Sequence, residues 1–346
     1  MQPIRIGING LGRIGRLVLH HAYARAVHPG NPGQVRAQRP IQVVAANDIG
    51  AIDVIAYLLS YDSVHRFREV KAEVGDGRLR LGPLDIRVHH QPEPAQIPWG
   101  DDGVDLVLEC SGRFTKRAQL EQHFTSGPKR IILGAPGEAD RTVCIGVNED
   151  AIDRERDRVL SCASCTTNAI AAPLSVMDKV FGVQWGLVGT VHAYTADQAL
   201  VDGPKGKELR RGRAAAANIV PSSTGAARAI SAVLPNLAGK LDGSAVRVPV
   251  PNGSLYDITC TLKGSPSIDR VIEAMRDAAS TERLRGILDV RDEQLVSSDI
   301  IGDTHSSIVD VGASMGLGPL VRVVGWYDNE FAYAARLLDL ASSILS

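Results

Sequence analysis

From Ile4 to about Leu160 the chain alternates short apolar runs with helical stretches. Ile4–Ile8, Ile41–Ala46, Val104–Leu108, Arg130–Leu133 and Val143–Val147 are short and largely apolar, which predicts buried strands. Leu17–Arg25 and Ala51–Leu59 predict helices. This alternation predicts a parallel sheet with helices on both faces. The stretch from His28 to Pro40 has three prolines and two glycines, and predicts a surface loop between the first helix and the second strand. Two strand-like runs around Asp76-Gly77, within Arg66–Val88, predict a hairpin.

After Cys165 the pattern changes. Asn168–Phe181 predicts a helix, and long strand candidates follow at Leu187–Tyr194, Ser244–Val250, Asp257–Lys263, Ser306–Val311 and Leu320–Tyr327. Fewer helices separate them: Ile268–Ala279 lies between, and Phe331–Ile344 ends the chain. That favours a mixed or antiparallel sheet. Ala199–Gly212, rich in Gly, Lys and Arg, is too polar for a core and is expected to fold over a surface.

With 346 residues the chain exceeds one typical domain, and two are expected. At 44% hydrophobic and 22% charged it reads as an ordinary globular protein, and 4% aromatic content implies an aliphatic core. A net charge of −1 gives no support for a nucleic-acid partner. Five cysteines cannot all pair with one another, and no secretory pattern precedes the first strand, so a reducing, cytoplasmic compartment is expected. No apolar run reaches the roughly 18 residues of a membrane span.

Gly10-Leu11-Gly12-Arg13-Ile14-Gly15 follows the first predicted strand and opens a helix. Glycines there allow a tight turn, close approach of backbone to a pyrophosphate, and close helix packing, while amides at the helix start hold phosphates. The second strand ends at Asn47-Asp48. A carboxylate at that place accepts hydrogen bonds from a ribose diol and repels an extra phosphate, which favours NAD over NADP. The other reading of Asp48 is an N-cap for the following helix.

Cys165 lies in Ser161-Cys162-Ala163-Ser164-Cys165-Thr166-Thr167-Asn168, a small-residue turn leading into a helix. The partial positive charge of a helix N-terminus favours thiolate over thiol. His192, in Thr190-Val191-His192-Ala193-Tyr194-Thr195, could take the proton or hold it in an ion pair; its other reading is a satisfied strand histidine. A thiolate, a base and a nicotinamide together point to aldehyde oxidation through a thioester. Cys162 and Cys165 have a Cys-x-x-Cys spacing, but no second pair accompanies it. Zinc is therefore not expected; a regulatory disulfide stays open, with Cys162 otherwise a packing residue. Arg210, Arg211, Arg213, Ser222-Ser223-Thr224-Gly225 and Arg247 supply donors that suit phosphate oxygens.

Together these residues resemble the phosphorylating glyceraldehyde-3-phosphate dehydrogenase family, nearly end to end. Further segments that carry the resemblance are Tyr61-Asp62-Ser63, Leu209-Arg210-Arg211, Arg247-Val248-Pro249-Val250-Pro251-Asn252-Gly253, Val296-Ser297-Ser298-Asp299 and Trp326-Tyr327-Asp328-Asn329-Glu330. The resemblance implies a Rossmann-type parallel-sheet NAD domain over 1–164, completed by a C-terminal helix at 330–346. A catalytic α+β domain with a mixed, largely antiparallel sheet is implied over 165–329. It implies Cys165 as nucleophile, His192 as base, and glyceraldehyde 3-phosphate and inorganic phosphate as substrates. Thr195 and Arg247 match the site for the substrate phosphate; Ser164, Thr166, Thr224 and Gly225, with Arg211 near, match that for the attacking phosphate. Gly10, Gly12, Arg13, Ile14, Gly15, Asp48, Ser111, Asn329 and Tyr333 match cofactor-binding positions. Asn329 would bind the nicotinamide carboxamide, and Tyr333 would lie beside the ring. Thr195–Ala217 resembles a loop that reaches a neighbouring subunit's cofactor, which implies a homotetramer.

The chain departs from the family pattern in places. Ala169 replaces a second cysteine, Cys162 an asparagine, Gly134 a serine, and Ala332 and Ala334 a glycine and a serine. Asp48-Ile49-Gly50 lacks the usual proline and phenylalanine, and Gly203-Pro204 lacks the apolar residue before its proline. The nearest rival is erythrose-4-phosphate dehydrogenase. It usually alters the stretches matching Ala193-Tyr194-Thr195 and Pro249-Val250-Pro251, which here keep the triose form.

Overall fold

The structure is a computed structural model, and it describes residues 2–28, 39–205 and 208–344. Most of the expected loop at 28–40 therefore lies outside the described residues. The chain divides into two compact units. The first comprises 1–145, 149–164 and 333–346; the second comprises 146–148 and 165–332.

The first unit runs β1 (Ile4–Asn9), α1 (Arg13–Val27), β2 (Ile41–Asn47), α2 (Ile52–Ser60), β3 (Ala72–Gly75), β4 (Arg78–Leu81), β5 (Leu84–His89), β6 (Leu106–Glu109), α3 (Arg117–Leu120), β7 (Arg130–Leu133), β8 (Arg141–Thr142) and β9 (Val159–Ser161). These strands form one nine-stranded sheet in the order β3-β4-β5-β2-β1-β6-β7-β9-β8. All its pairings are parallel except β3–β4 and β4–β5. The strands pair parallel because helices or long connections carry the chain back between them. The aliphatic strand residues, with Trp99, Ile97 and Leu120, make a buried core. The hairpin at Asp76-Gly77 is present as β3–β4, and β5 extends it to three strands. Asp76 and Gly77 both have positive φ, as a type I′ hairpin turn requires.

The strand expected at 143–147 is a correction. Only Arg141–Thr142 pairs with β9, and the chain turns from 145 onwards. Gly146 has φ +86°, and the Arg283 guanidinium binds the carbonyls of Gly146 (2.9 Å) and Val147 (2.7 Å). Those carbonyls find a cation instead of a strand partner.

The second unit runs α4 (Cys165–Val180), β10 (Val183–Ala193), β11 (Val220–Ser223), α5 (Ala226–Val233), β12 (Leu241–Val248), β13 (Ser254–Leu262), α6 (Ile268–Ser280), β14 (Leu288–Arg291), β15 (Ser307–Leu317) and β16 (Leu320–Tyr327). The final helix is α7 (Phe331–Ile344). The seven strands lie in the order β11-β12-β10-β13-β16-β15-β14. Four pairings are antiparallel, while β10–β12 and β14–β15 are parallel, so the sheet is mixed and largely antiparallel. Strand β13 alternates buried and half-buried residues along its whole length, the signature of a sheet packed on one face. The helices α4 and α6 lie against β15. Among the described residues no helix is long and apolar enough to cross a membrane.

Candidate active site

Two separate sets of residues concern function. In the first unit, β1 pairs with β2 on one side and β6 on the other, so the strand order reverses there. Ligands of open α/β sheets bind in the crevice beyond the carboxyl ends of strands at such a reversal. The protein has a pocket at that place, lined by Gly10, Gly12, Asp48, Ser111, Asn9 and Asn47 among others. Gly10 has φ +93°, and a Cβ there would lie 2.5 Å from the Ser111 backbone. A Cβ on Gly15 would lie 2.0 Å from the Gly10 carbonyl oxygen, which is the close helix packing the fingerprint predicts. Gly12 instead faces open space and is the N-cap of α1. The room over Gly12 and the helix amides behind it suit a pyrophosphate.

Asp48 follows β2, and its carboxylate accepts hydrogen bonds from Leu11 N (2.6 Å) and Gly50 N (2.7 Å). It does not cap α2, whose N-cap is Ala51. Two backbone donors fix the carboxylate at the pocket wall, with lone pairs left for a ribose diol. The side chain of Arg13 is turned to an ion pair with Asp62 and approaches His65 Nδ1 at 3.3 Å. Residues 13–15 therefore belong to the loop-to-helix junction, while neither Arg13, Ile14 nor Gly15 lines the pocket. Ser111 does line it. Tyr333, in α7, is buried, and its hydroxyl donates to the Ala163 carbonyl (3.0 Å). Ala163 has φ +55°, an uncommon conformation for a residue with a side chain. Ser164 then ends the first unit, directly before Cys165.

In the second unit Cys165 is the first residue of α4, and its Sγ lies 3.4 Å from His192 Nε2. His192 stands near the end of β10, and the parallel register with β12 puts Arg247 opposite it. His192 Nδ1 faces both the Ala193 carbonyl, at 2.6 Å, and the donor Arg247 Nη1, at 3.0 Å; the shorter contact is a hydrogen bond when Nδ1 carries the proton, and that tautomer leaves the Nε2 lone pair facing sulfur. Burial, and then the Arg247 charge, depress the imidazole to a pKa of about 4. Burial pushes the Cys165 thiol up, while Arg247 and the Thr166 contacts pull it down. Burial wins, so the resting pair is a neutral thiol beside a neutral imidazole rather than the ion pair that a helix N-terminus alone favours.

Arg247 Nη1 also donates to Ala193 O (3.1 Å) and Thr195 Oγ1 (3.0 Å). Its Nε is buried without a hydrogen-bond partner among the described residues. An orphaned guanidinium nitrogen is costly unless an anion completes it. Asp197 accepts from both Thr195 and Arg211, and Arg211 Nε donates to Glu208 (2.8 Å). Glu208 also accepts from Ser223 N (3.0 Å); Thr224 and Gly225 follow Ser223, with Gly225 the N-cap of α5 and Thr224 Oγ1 accepting from Ala226 N (3.2 Å). Asn329 is buried, and its Oδ1 accepts from Ser254 Oγ (2.8 Å), which in turn accepts from Ala193 N (3.0 Å). Cys165, His192, Thr195, Arg211, Arg247 and Asn329 are thus joined around the end of β10.

Sequence reasoning missed Tyr327. Its buried hydroxyl lies 2.9 Å from Thr166 Oγ1 and 2.8 Å from Thr190 Oγ1, and its ring meets His192 edge-on. It also missed Asp197 and Glu208, the carboxylates that position Arg211. Their only signal is an acid near each basic residue of the loop. Cys162 and Cys165 form no disulfide, and Cys162 is fully buried. Among the described residues no group of three or more His, Cys, Asp or Glu gathers as metal ligands would.

A dinucleotide crevice with glycines packed against backbone, an aspartate at its wall, and a second α/β unit bearing a thiol beside an imidazole define the class: a nicotinamide-dependent oxidoreductase. The NAD binding domain model of glyceraldehyde 3-phosphate dehydrogenase matches residues 4–117, and the C-terminal domain model of the same enzyme matches residues 164–329. The chain is 47% identical to glyceraldehyde-3-phosphate dehydrogenase 2 of Streptomyces arenae over 346 residues, 99% of each chain. It is 46% identical to glyceraldehyde-3-phosphate dehydrogenase of Mycobacterium avium, again over 99% of each chain. The chain belongs to the glyceraldehyde 3-phosphate dehydrogenase family. It is an aldehyde oxidoreductase, and its cofactor is NAD.

Proposed function

We propose that the protein oxidises glyceraldehyde 3-phosphate in the presence of inorganic phosphate to 1,3-bisphosphoglycerate, through a hemithioacetal and a thioester on Cys165. The observation that carries this reading is the 3.4 Å approach of Cys165 Sγ to His192 Nε2. Sulfur attacks the aldehyde carbon as its proton passes to His192 Nε2, which spares the free enzyme a buried thiolate. The resulting imidazolium then stabilises the alkoxide of the tetrahedral adduct. Bound NAD would supply the hydride acceptor for the hemithioacetal carbon. Gly10, Gly12, Asp48, Ser111 and the amides of 13–15 would hold it; Asn329 and Tyr333 would orient its nicotinamide. An oxygen of phosphate then attacks the thioester carbon, and the thiolate leaves and regains its proton.

Thr195 and Arg247 are assigned to the phosphate already on the substrate, a role supported by the orphaned Arg247 Nε. Ser164, Thr166, Arg211, Thr224 and Gly225 are assigned to the attacking phosphate, supported by the start of α5 and the Arg211 network. Mixing the protein with glyceraldehyde 3-phosphate and NAD, without phosphate, should give a three-carbon acyl adduct on residue 165 in the mass spectrum. Phosphate should discharge it, and triose phosphate should react faster than erythrose 4-phosphate. Absence of the adduct would remove the covalent step.

A cytoplasmic homotetramer is part of the same reading. Trp185, Leu187 and Val191 are exposed on one face of β10, and Met315, Leu317 and Leu320 are exposed on β15 and β16. An apolar sheet face of this kind needs a cover in water, and a second copy of the chain provides one. Sedimentation should show an assembly of four copies; a monomer at micromolar concentration rules it out.

A further inference from the structure

Beneath the nucleotide pocket runs a chain of buried polar side chains that reaches from Trp99 to Asn47. Trp99 Nε1 donates to His123 Nδ1 (3.0 Å), and His123 Nε2 lies 3.1 Å from Glu109 Oε2. Asn9 Nδ2 donates to the same Glu109 oxygen (2.6 Å), and Asn47 Nδ2 donates to Asn9 Oδ1 (2.8 Å). The other oxygen, Glu109 Oε1, accepts from Ser111 N (2.8 Å) and Ser111 Oγ (2.5 Å). Asn47 is anchored in turn by Gln91, accepting from its N–H and donating to its carbonyl. Trp99, His123 and Glu109 are at most 1% exposed.

The polarity of this chain is fixed. Indole is donor only, so His123 Nδ1 must accept and Nε2 must carry the proton. That proton points at Glu109. From the other side Asn47 spends its amide hydrogens on Asn9 and Gln91, so Asn9 turns its own NH2 to Glu109. Ser111 adds a backbone N–H that cannot be reversed. Four donors converge on two oxygens, and only a group that accepts at both ends satisfies them. Two of the residues held this way, Asn9 and Ser111, line the pocket. Glu109, His123 and Trp99 do not line it.

We propose that Glu109 is a positioning residue for the cofactor, and that His123, oriented by Trp99, holds Glu109 in place. The carboxylate sets the Ser111 backbone and hydroxyl and the Asn9 amide at the mouth of the crevice, where the dinucleotide lies. The proposal rests on NAD occupying this pocket. Glu109→Gln keeps the shape but puts an NH2 where an oxygen must accept. Reversing Asn9 to meet it sets NH2 against NH2 at Asn47; reversing His123 sets N–H against N–H at Trp99. One donor stays unpaired, and the pocket wall shifts to relieve it. The dissociation constant for NAD, measured by titration of the whole protein, should rise about ten-fold. Alkylation of Cys165 without NAD should be unchanged.

His123 gives an independent arm should Glu109→Gln not fold. His123→Gln can accept from Trp99 and donate to Glu109, and should bind NAD within about two-fold of the wild type. His123→Leu leaves both neighbours unpaired and should weaken NAD several-fold, although residue 123 lies outside the pocket. A merely structural network would lower the melting temperature of these variants and leave the dissociation constant alone. Folded Glu109→Gln or His123→Leu protein that binds NAD as tightly as wild type overturns the proposal. A wild type that binds no NAD would instead overturn the reading of the pocket beneath it.

Discussion

Cys165→Ser should lower turnover by on the order of 10⁴-fold or more, while NAD binds within about two-fold of the wild-type affinity. A serine hydroxyl is far less acidic than a thiol, and the base beside it is weak. His192 is held to a pKa of about 4 by burial and Arg247, so it can relieve a thiol of its proton during attack but has little pull on an alcohol. The helix N-terminus of α4 cannot make up the difference, since its field is worth about 1 kcal/mol. NAD affinity is spared because Gly10, Gly12 and Asp48 belong to the other unit and make no use of sulfur. The measurements are a burst of NADH on mixing with triose phosphate, expected to vanish, and a calorimetric NAD titration, expected to persist. Appreciable steady-state turnover by the serine variant would exclude Cys165 as the nucleophile.

The elements that could be read from the sequence were those whose pattern is complete within themselves. Strand β1 is a continuous apolar run followed at once by its glycine turn, and the last helix has its apolar face and length in plain view. Strand β16 starts and stops where its apolar pattern does. What escaped depends on distant partners. Strand β11 carries Pro221, which argues against a central strand; it exists because it lies at the sheet edge, paired only with β12. Strand β14, at the other edge, has four residues and gains its form from β15. Helix α5 has eight residues and begins straight after Ser-Ser-Thr-Gly, too short for its period to announce it. The run at 143–147 was misleading for the opposite reason. Its composition is that of a strand, but Gly146 and Arg283 redirect it.

The site divides in the same way. Gly10, Gly15, Asp48 and Cys165 sit at junctions between elements, where the local sequence already states the geometry. The pairing of His192 with Arg247 comes from the register of two strands more than 50 residues apart, and no local pattern contains it. Asp197, Glu208, Glu109 and His123 act on other side chains rather than on ligands. Residues of that kind show in sequence only as ordinary polar positions, because their meaning lies in who donates to them.

His192→Asn should slow alkylation of Cys165 at neutral pH by about 10²-fold, and the pH profile should change with it. In the wild type the imidazole is neutral through the neutral range, since burial and Arg247 hold it to about 4. Reactivity should therefore stay high down to pH 5 and fall only as Nε2 is filled near pH 4. Asparagine accepts no proton in this range, so the variant should follow the thiol's own titration. Burial raises that thiol, so its reactivity should climb steadily with alkaline pH and show no acid limb. A second readout comes from stability. The imidazole charges near pH 6.5 when unfolded but only near 4 when folded, so the unfolded state binds more protons in between. Stability is then complete above 6.5 and is lost as pH falls toward 4, by roughly 3 kcal/mol for a shift of this size. His192→Asn should remove that loss, and urea unfolding at pH 7 and pH 4.5 should show the variant losing less on acidification. If thiol reactivity keeps the wild-type pH profile in the variant, His192 is not the proton acceptor of Cys165, whatever its distance from the sulfur.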